Sequence, residues 1–308
     1  MANFLSCDWG TSSFRLRLVN AITQEILDEI VSKQGIADTY QNWQAMGQLE
    51  TERIEFYTNI LRGAIAQLSS PIALETPIIL SGMASSTMGL RELPYQKFPF
   101  TWDTAQLPIH KISNHRTFTH PIYLVSGFRT ETDIMRGEET LLLGCDVADD
   151  AEKVFIFPGT HSKHIWVKNK IATDFKTYMT GELFHLLETK SVLANSIEKG
   201  DDFDAFTLGV KAAFKDGDLL HNAFLVRTRH ILNRTHPLSN YAFLSGLLIG
   251  LELKDVPQNV PIYLICGEHL EKPYQISLTL RGVKDTLVCL NADEILVKGH
   301  CKIAQNIL

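Results

Sequence analysis

Two stretches of this chain, about half its length apart, are written on one plan, and that repetition constrains the fold more than any single motif does. In residues 3–19 an apolar run (Phe4, Leu5, Cys7) stops at Asp8, and a polar turn follows over 10–13. Alternation then resumes, with Phe14, Leu16 and Leu18 opposite Arg15 and Arg17. In residues 154–168 the apolar run 154–157 reaches the turn 158–162 and returns through 164–167, and Gly159-Thr160 echoes Gly10-Thr11. Each stretch reads as a strand, a Gly-containing tight turn and a returning strand. Glycine lets a backbone approach a ligand closely, and such a turn offers amides and hydroxyls to a phosphate. Asp8, at the mouth of the first turn, is the residue type that holds a hydrated Mg²⁺ against phosphates. Either hairpin alone reads equally well as an ordinary turn capped by Asp and Ser. Two of them, each opening a half of the chain, point to a duplicated domain with phosphates held between the halves.

The 308 residues suit two domains, each large enough to bury a core. The division expected is 1–126 and 127–308, with Ser126-Gly127 at the boundary. Apolar residues at 45% and charged residues at 21% describe an ordinary globular protein, and a net charge of −6 with scattered Lys and Arg argues against nucleic acid. No signal-peptide pattern opens the chain, and its most apolar stretch, 241–253, is too short for a bilayer. The five cysteines form no CxxC pair and read as reduced thiols. A cytoplasmic protein without membrane partners is expected.

Along the chain, 26–33 reads as a third strand and 52–68 as an amphipathic helix. Residues 77–80 read as a buried strand feeding the polar turn 81–87, so a parallel crossover is expected. Residues 91–119 are irregular. The five-residue spacing of His110, His115 and His120 fits neither a helix face nor a strand face, so they read as exposed loop histidines and not as a metal site. A strand at 122–125 precedes a helix beginning near Gly137-Glu138-Glu139. In the second half, 171–176 pairs with the second hairpin, and helices start at 182 and 203 and span 241–253. Gly246 and Gly250 lie on one face of that last helix for close packing. A strand over 261–266 ends at Gly267, and 294–307 closes the chain as a helix or a strand–helix end.

No P-loop, no GxGxxG turn and no protein-kinase signature is present, so any phosphate must be held by the hairpin turns. Phosphoryl transfer also needs a carboxylate to receive the acceptor's proton. Met135-Arg136-Gly137-Glu138-Glu139-Thr140 is the best candidate segment: Gly137 permits close approach, Glu138 stands where a helix begins, and Arg136 offers a fork for carboxylate or phosphate. Adjacent glutamates at a helix start also serve as plain dipole partners. Asp174 is the second choice of base.

These residues carry a resemblance. The two hairpins, the acidic segment between them and the late Cys266-Gly267 turn resemble the actin, Hsp70 and sugar-kinase superfamily, and more closely the 2-dehydro-3-deoxygalactonokinase family. The matching segments are CDWGTSSFRLRL (7–18), SGM with a following Ser (81–85), MRGEET (135–140), FPGTHSKHIWV (157–167), DFKTYMTGELFHLL (174–187), DAFTLG (204–209) and FLSGLLIG (243–250). The resemblance implies an α/β protein of two ribonuclease-H-like (actin-like ATPase) domains with an interdomain cleft. It further implies transfer of the ATP γ-phosphate to the C6 hydroxyl of 2-dehydro-3-deoxy-D-galactonate, with ATP and Mg²⁺ as cofactors. By this likeness Asp8, Gly10, Thr11 and Ser12 form the first phosphate motif and Gly159, Thr160 and His161 the second. Glu138 falls at the catalytic acid's place, where relatives usually carry Asp. Gly267 marks the adenosine side, in a turn where Glu268 departs from the small residues that relatives favour. Residues 90–120 and 270–308 match poorly.

The leading hypothesis is therefore a sugar-acid kinase of galactonate breakdown. Ser85, Ser86, Arg91, Tyr95 and Arg136 anchor the substrate, and a bidentate Arg suits its carboxylate. His161 and Lys163 are candidates to neutralise phosphate charge. Kinases for another sugar acid, such as 2-dehydro-3-deoxygluconate, a nucleotide-gated sensor without turnover and a phosphohydrolase remain as alternatives. Domain closure is expected, with Gly127 and the helix end near Gly144 as hinges. The oligomeric state is open, a homodimer included.

Overall fold

The computed structural model of the chain describes residues 3–47, 49–101, 107–113, 118–146, 151–215, 218–283 and 286–307. The chain divides into two compact units. The first comprises Met1–Asp150, Lys170–Asp174 and Asp293–Leu308, and the second comprises Ala151–Asn169 and Phe175–Ala292.

The first unit opens with the expected hairpin. Strand β1 (Asn3–Trp9) pairs antiparallel with β2 (Phe14–Asn20) in a register that sets Asp8 opposite Arg15. Strand β3 (Ile26–Ser32) pairs with β2, and helices α1 (Ile36–Ala45) and α2 (Arg53–Ile65) follow. Strand β4 (Ile78–Gly82) lies parallel to β1. The irregular segment holds short strands β5 (Gln96–Lys97), β6 (Phe100–Thr101) and β7 (Ile109–Ile112). Strand β8 (Ile122–Val125) then joins β4 in parallel, giving the order β3-β2-β1-β4-β8-β7. The alternation along β1 decides the layers. Leu5, Cys7 and Trp9 enter a core with Tyr57 and Leu61 of α2, while Ser6 and Asp8 take the other face.

Residue 127 does not begin a second unit. Strands β9 (Phe128–Arg129) and β10 (Ile134–Met135) form a small sheet with β5, and α3 (Glu138–Gly144) completes the segment, so the break follows residue 150. Long-range pairing with β5 overrides the local Ser-Gly signal. The proposed hinges are held by packing: a Cβ at Gly127 would lie 2.1 Å from the Met135 carbonyl oxygen, and one at Gly144 1.9 Å from that of Ile295.

The second unit repeats the plan. Strands β11 (Lys153–Phe157) and β12 (Ser162–Lys168) form the second hairpin, with β13 (Ile171–Tyr178) beside β12. Helices α4 (Thr180–Lys190), α5 (Phe203–Lys215), α6 (Leu219–Leu232) and α7 (Pro237–Leu253) lead to β14 (Ile262–Cys266), which is parallel to β11. Helix α8 (Glu268–Arg281) leads to β15 (Leu287–Asn291), which is parallel to β14. The order β15-β14-β11-β12-β13 matches β8-β4-β1-β2-β3 of the first unit, so the duplication read from two turns extends to five strands of each six-stranded sheet. Asp202 caps α5 through the Ala205 amide at 3.0 Å. Gly246 lets α7 meet α5, a Cβ there falling 2.1 Å from the Phe206 carbonyl oxygen.

The closing helix α9 (Ala292–Ile307) returns to the first unit, against its expected place in the second. Asp293 bonds Arg17 at 2.7 Å, Lys302 reaches the Leu143 carbonyl, and buried His300 joins Ser6 (2.6 Å) and Ser81 (3.0 Å). All five cysteines are free thiols. Among the described residues no helix is long and apolar enough to cross a membrane.

Candidate active site

In the first unit three segments converge on Gly82. Its φ of +82° is one that side-chain-bearing residues rarely adopt. A Cβ there would sit 2.8 Å from the Trp9 carbonyl oxygen and 3.1 Å from Oδ1 of Asp8. Gly137, at φ +108°, also approaches it, its virtual Cβ 3.6 Å from the Gly82 Cα. The Asp8 hairpin and the start of α3, which carries Glu138, therefore meet across two glycines. The sequence pointed to Gly82 only as part of the matching SGM segment and the polar turn 81–87, and gave it no role of its own.

Asp8, next to last in β1, is half-buried. Burial pushes its carboxyl above the ordinary range, opposed by the Arg15 guanidinium 3.3 Å away. Arg15 also reaches Asp293 at 3.4 Å. The turn after Asp8 closes through Gly10 N–H to the Ser13 carbonyl at 2.9 Å. It is backed by α1, whose first amides, Ile36 and Ala37, donate to the carbonyls of Gly10 and Thr11 at 2.9 and 3.1 Å. The half-buried Thr11 and exposed Ser12 form its tip.

At α3, Glu138 is half-buried and accepts the Arg136 amide at 3.0 Å. Glu139 is fully buried, takes the Gly137 amide at 2.8 and 2.9 Å, and is raised to about 8 by burial and then by the charge of Glu138. Of the two neighbours, Glu138 is the more accessible and Glu139 is shut inside the unit. Asp174, the second choice of base, stands exposed on β13.

The residues proposed for the substrate divide. Arg136 lies over the Tyr95 ring, its Cζ 4.1 Å from the centroid. It donates to Ser85 Oγ, to Ser126 Oγ at 3.4 Å and to the Leu93 carbonyl at 3.4 Å, while its buried Nε has no partner among the described residues. The Ser85 hydroxyl in turn donates to the Val125 carbonyl at 2.7 Å. Ser85, Tyr95 and Arg136 form one cluster, joined by Ser126, which the sequence had marked only as a boundary. Ser86 is apart, its hydroxyl spent on the Met83 carbonyl at 2.7 Å. Arg91 is exposed and meets Nε2 of His110 at 2.9 Å. His110 is half-buried in strand β7, and His120, in the loop before β8 as expected, is half-buried and bonds the Thr76 carbonyl at 2.9 Å. His115 lies outside the described residues. Among those described, no group of side chains could hold a metal ion by itself.

In the second unit Gly159, Thr160 and His161 are exposed at the hairpin turn, and a Cβ at Gly159 would meet open space. The turn rests on α4: the Glu182 amide donates to the Thr160 carbonyl at 3.0 Å, and a Cβ at Gly181 would fall 2.5 Å from the Gly159 carbonyl oxygen. His161 pairs with Glu182, and Lys163 turns its Nζ to the His161 carbonyl at 2.9 Å. Gly267 precedes α8 as its N-cap.

A family model described as 2-keto-3-deoxy-galactonokinase matches residues 8–303 of this chain. The chain belongs to that family. It is 27% identical over 297 residues to the 2-dehydro-3-deoxygalactonokinase of Escherichia coli K12, with 93% of each chain covered. It is 33% identical over 264 residues to a Rhizobium meliloti protein named as a probable 2-dehydro-3-deoxygalactonokinase, DgoK1, covering 81% of this chain and 79% of that one. A crystal structure of a Sinorhizobium meliloti protein assigned as a 2-dehydro-3-deoxygalactonokinase superposes with a TM-score of 0.85 at 28% identity, covering 99% of this chain and 96% of the other. The family match begins at Asp8, near the end of β1, and ends within α9, so it takes in the turn and returning strand of the first hairpin, the whole of the second, and most of the helix that returns to the first unit.

Proposed function

We propose that this chain is an ATP-dependent kinase that phosphorylates the C6 hydroxyl of 2-dehydro-3-deoxy-D-galactonate in the cytoplasm. The observation that carries the reading is the meeting of Asp8 and the Glu138 segment at Gly82, in a chain whose family match spans 8–303. Asp8, Gly10, Thr11 and Ser12 on the first unit, and Gly159, Thr160 and His161 on the second, are the proposed phosphate ligands, with Gly267 on the adenosine side. The first unit is the sugar-acid side. Asp8 is the group that would hold Mg²⁺ through water, and a bound Mg²⁺ neutralises charge developing on the phosphates.

Glu138 is the proposed base. As the C6 oxygen bonds to the γ-phosphorus, the bond from that phosphorus to the ADP oxygen breaks, and the hydroxyl proton passes to the Glu138 carboxylate. The buried neighbour Glu139 holds the amide of Gly137 and keeps the start of α3 in place. Arg136, held by Ser85 and Ser126 against Tyr95, presents a fixed cation to the substrate carboxylate. Arg91 and Ser86 complete the proposed substrate set.

The test is coupled ADP release with Mg-ATP against 2-dehydro-3-deoxygalactonate, its gluconate epimer and the corresponding non-keto acids. Strong preference for the galactonate is expected. Activity on the epimer alone would keep the kinase and move its substrate. Bound ATP with no turnover on any acid would overturn the kinase reading, and ADP release without an acid would favour a phosphohydrolase.

A further inference from the structure

Helix α7 is almost wholly apolar where it is buried, with Phe243, Leu244, Leu247, Leu248, Ile249 and Leu253 in the core of the second unit. One carboxylate interrupts that run. Glu252 is 3% exposed, and an unpaired charge at such a site would be strongly destabilising. It is not unpaired. One oxygen lies 3.0 Å from Nε2 of His164 on β12, and the other accepts the Tyr274 hydroxyl of α8 at 2.8 Å and the Thr180 hydroxyl at the start of α4. Three elements thus meet on one side chain.

Each of those partners leads back to the second hairpin turn. The Tyr274 hydroxyl lies 3.2 Å from Ser162 Oγ, and Ser162 Oγ accepts the Gly159 amide at 3.3 Å. Because Tyr274 donates to Glu252, Ser162 must donate to Tyr274, and the chain runs in one direction from the Gly159 amide to the buried carboxylate. Such chains polarise one another and stiffen. Burial, and then the neighbouring Glu252, push the Tyr274 hydroxyl well above its ordinary range, so it remains a donor at any working pH. Thr180 precedes Gly181, the residue whose missing Cβ lets α4 press on the carbonyl of Gly159. His164 sits two residues past the turn's own end, in the returning strand.

We propose that Glu252 is a positioning residue for the second phosphate hairpin, fixing the Gly159 and Thr160 backbone through Tyr274–Ser162 on one side and Thr180–Gly181 on the other. The inference rests on reading that turn as a phosphate binder. Glu252 touches no reactant. A buried hydrophobe at 252 would pack the helix equally well but could not set the register of a polar turn, the kind of role for which buried charges are kept.

The test uses the full chain with Tyr274→Phe, which cuts the directional chain at unchanged volume, and Glu252→Gln, which keeps the shape and removes the charge. Mg-ATP binding is measured directly by calorimetry, beside the KM for each substrate. Loss of a hydrogen bond to a buried charge should weaken Mg-ATP about tenfold in Tyr274→Phe and more in Glu252→Gln. The KM for the sugar acid should stay within about twofold in both. Folded variants that bind Mg-ATP as the parent does would overturn the proposal, as would an equal loss of affinity for both substrates, which marks a merely structural role. If Glu252→Gln does not fold, Tyr274→Phe decides. The kinase reading fails separately: a parent chain that binds Mg-ATP but turns over no acid refutes that reading and leaves the binding comparison intact.

Discussion

The two hairpins share strand order, a tight turn and a supporting helix, yet they are braced by different chemistry. The first is braced by charge: Asp8 meets Arg15, and Arg15 and Arg17 both meet Asp293 of the closing helix. The second is braced by a buried network, in which Ser162, Tyr274 and His164 converge on Glu252. Even their buried histidines differ. His300, behind the first hairpin, lies between two neutral serines, while His164, behind the second, lies on a carboxylate. A duplicated fold has thus been specialised by half. The first hairpin carries an acidic group of its own at the turn mouth, whereas the acid nearest the second turn, Glu182, comes from α4 and is paired with His161. On the proposed function, chemistry belongs to the first unit and cradling to the second.

The largest effect expected is on that division of labour. Glu138→Gln should lower kcat by about 10² to 10⁴, the range for loss of a general base, with Mg-ATP affinity unchanged. Normal turnover would move Asp174 into the role. Asp8→Asn should cost about a hundredfold in kcat and raise the Mg²⁺ concentration needed for half-maximal rate. Changes confined to the KM for ATP in either variant would break the comparison, because they would make the first hairpin a cradle like the second.

A smaller effect tests the shared geometry. Gly35 and Gly181 are counterparts, each letting the start of a helix press on its hairpin turn. A Cβ would lie 2.1 Å from the Thr11 carbonyl oxygen at Gly35 and 2.5 Å from the Gly159 carbonyl oxygen at Gly181. Alanine at either should destabilise the fold by about 1–3 kcal/mol, as forced overpacking does, which thermal denaturation would register. Gly181→Ala should raise the KM for ATP severalfold and spare kcat, whereas Gly35→Ala, by displacing the turn after Asp8, should lower kcat. Identical kinetic signatures would erase the distinction between the two halves.

What the sequence disclosed and what it hid follow from range. The hairpins were legible because glycine, turn and alternation lie within about fifteen residues of one another. The return of α9 was not, since Ser6 and His300 are 294 positions apart and nothing local in 292–307 names a partner. Helix α1 was missed because it buries only Ile36, Thr39 and Trp43 among polar neighbours, and α6 because it buries only Asn222, Ala223 and Val226. Within the site, Asp8, Glu138 and Arg136 stood out by residue type beside glycine. Ser126 did not, because a serine's role is set by what packs around it. Glu252 had left a signal, a lone acid inside the apolar run 241–253, that only a view of the buried partners could interpret.

The smallest effect is a pH profile. The imidazole of His300 is lowered from 6.5 to about 3, first by burial and then by the nearby Arg17 charge. Above pH 6.5 both folded and unfolded chains hold it neutral. Between 6.5 and about 3 the unfolded chain binds a proton that the folded chain refuses, so stability falls as the solution is acidified through that window. Glu139 has the opposite sign. Raised from 4.5 to about 8, it is protonated in the folded chain where the unfolded chain has ionised, so its contribution is complete below 4.5 and fades as pH rises towards 8. Both groups belong to the first unit, which should therefore lose stability on either side of a mildly acidic optimum. His300→Gln should flatten the acid limb of a Tm-against-pH curve, and Glu139→Gln, which mimics the protonated acid, should flatten the neutral-to-alkaline limb. If neither limb changes, the buried groups behind the first hairpin titrate as they do in the unfolded chain, and its bracing is not electrostatically distinct from that of the second.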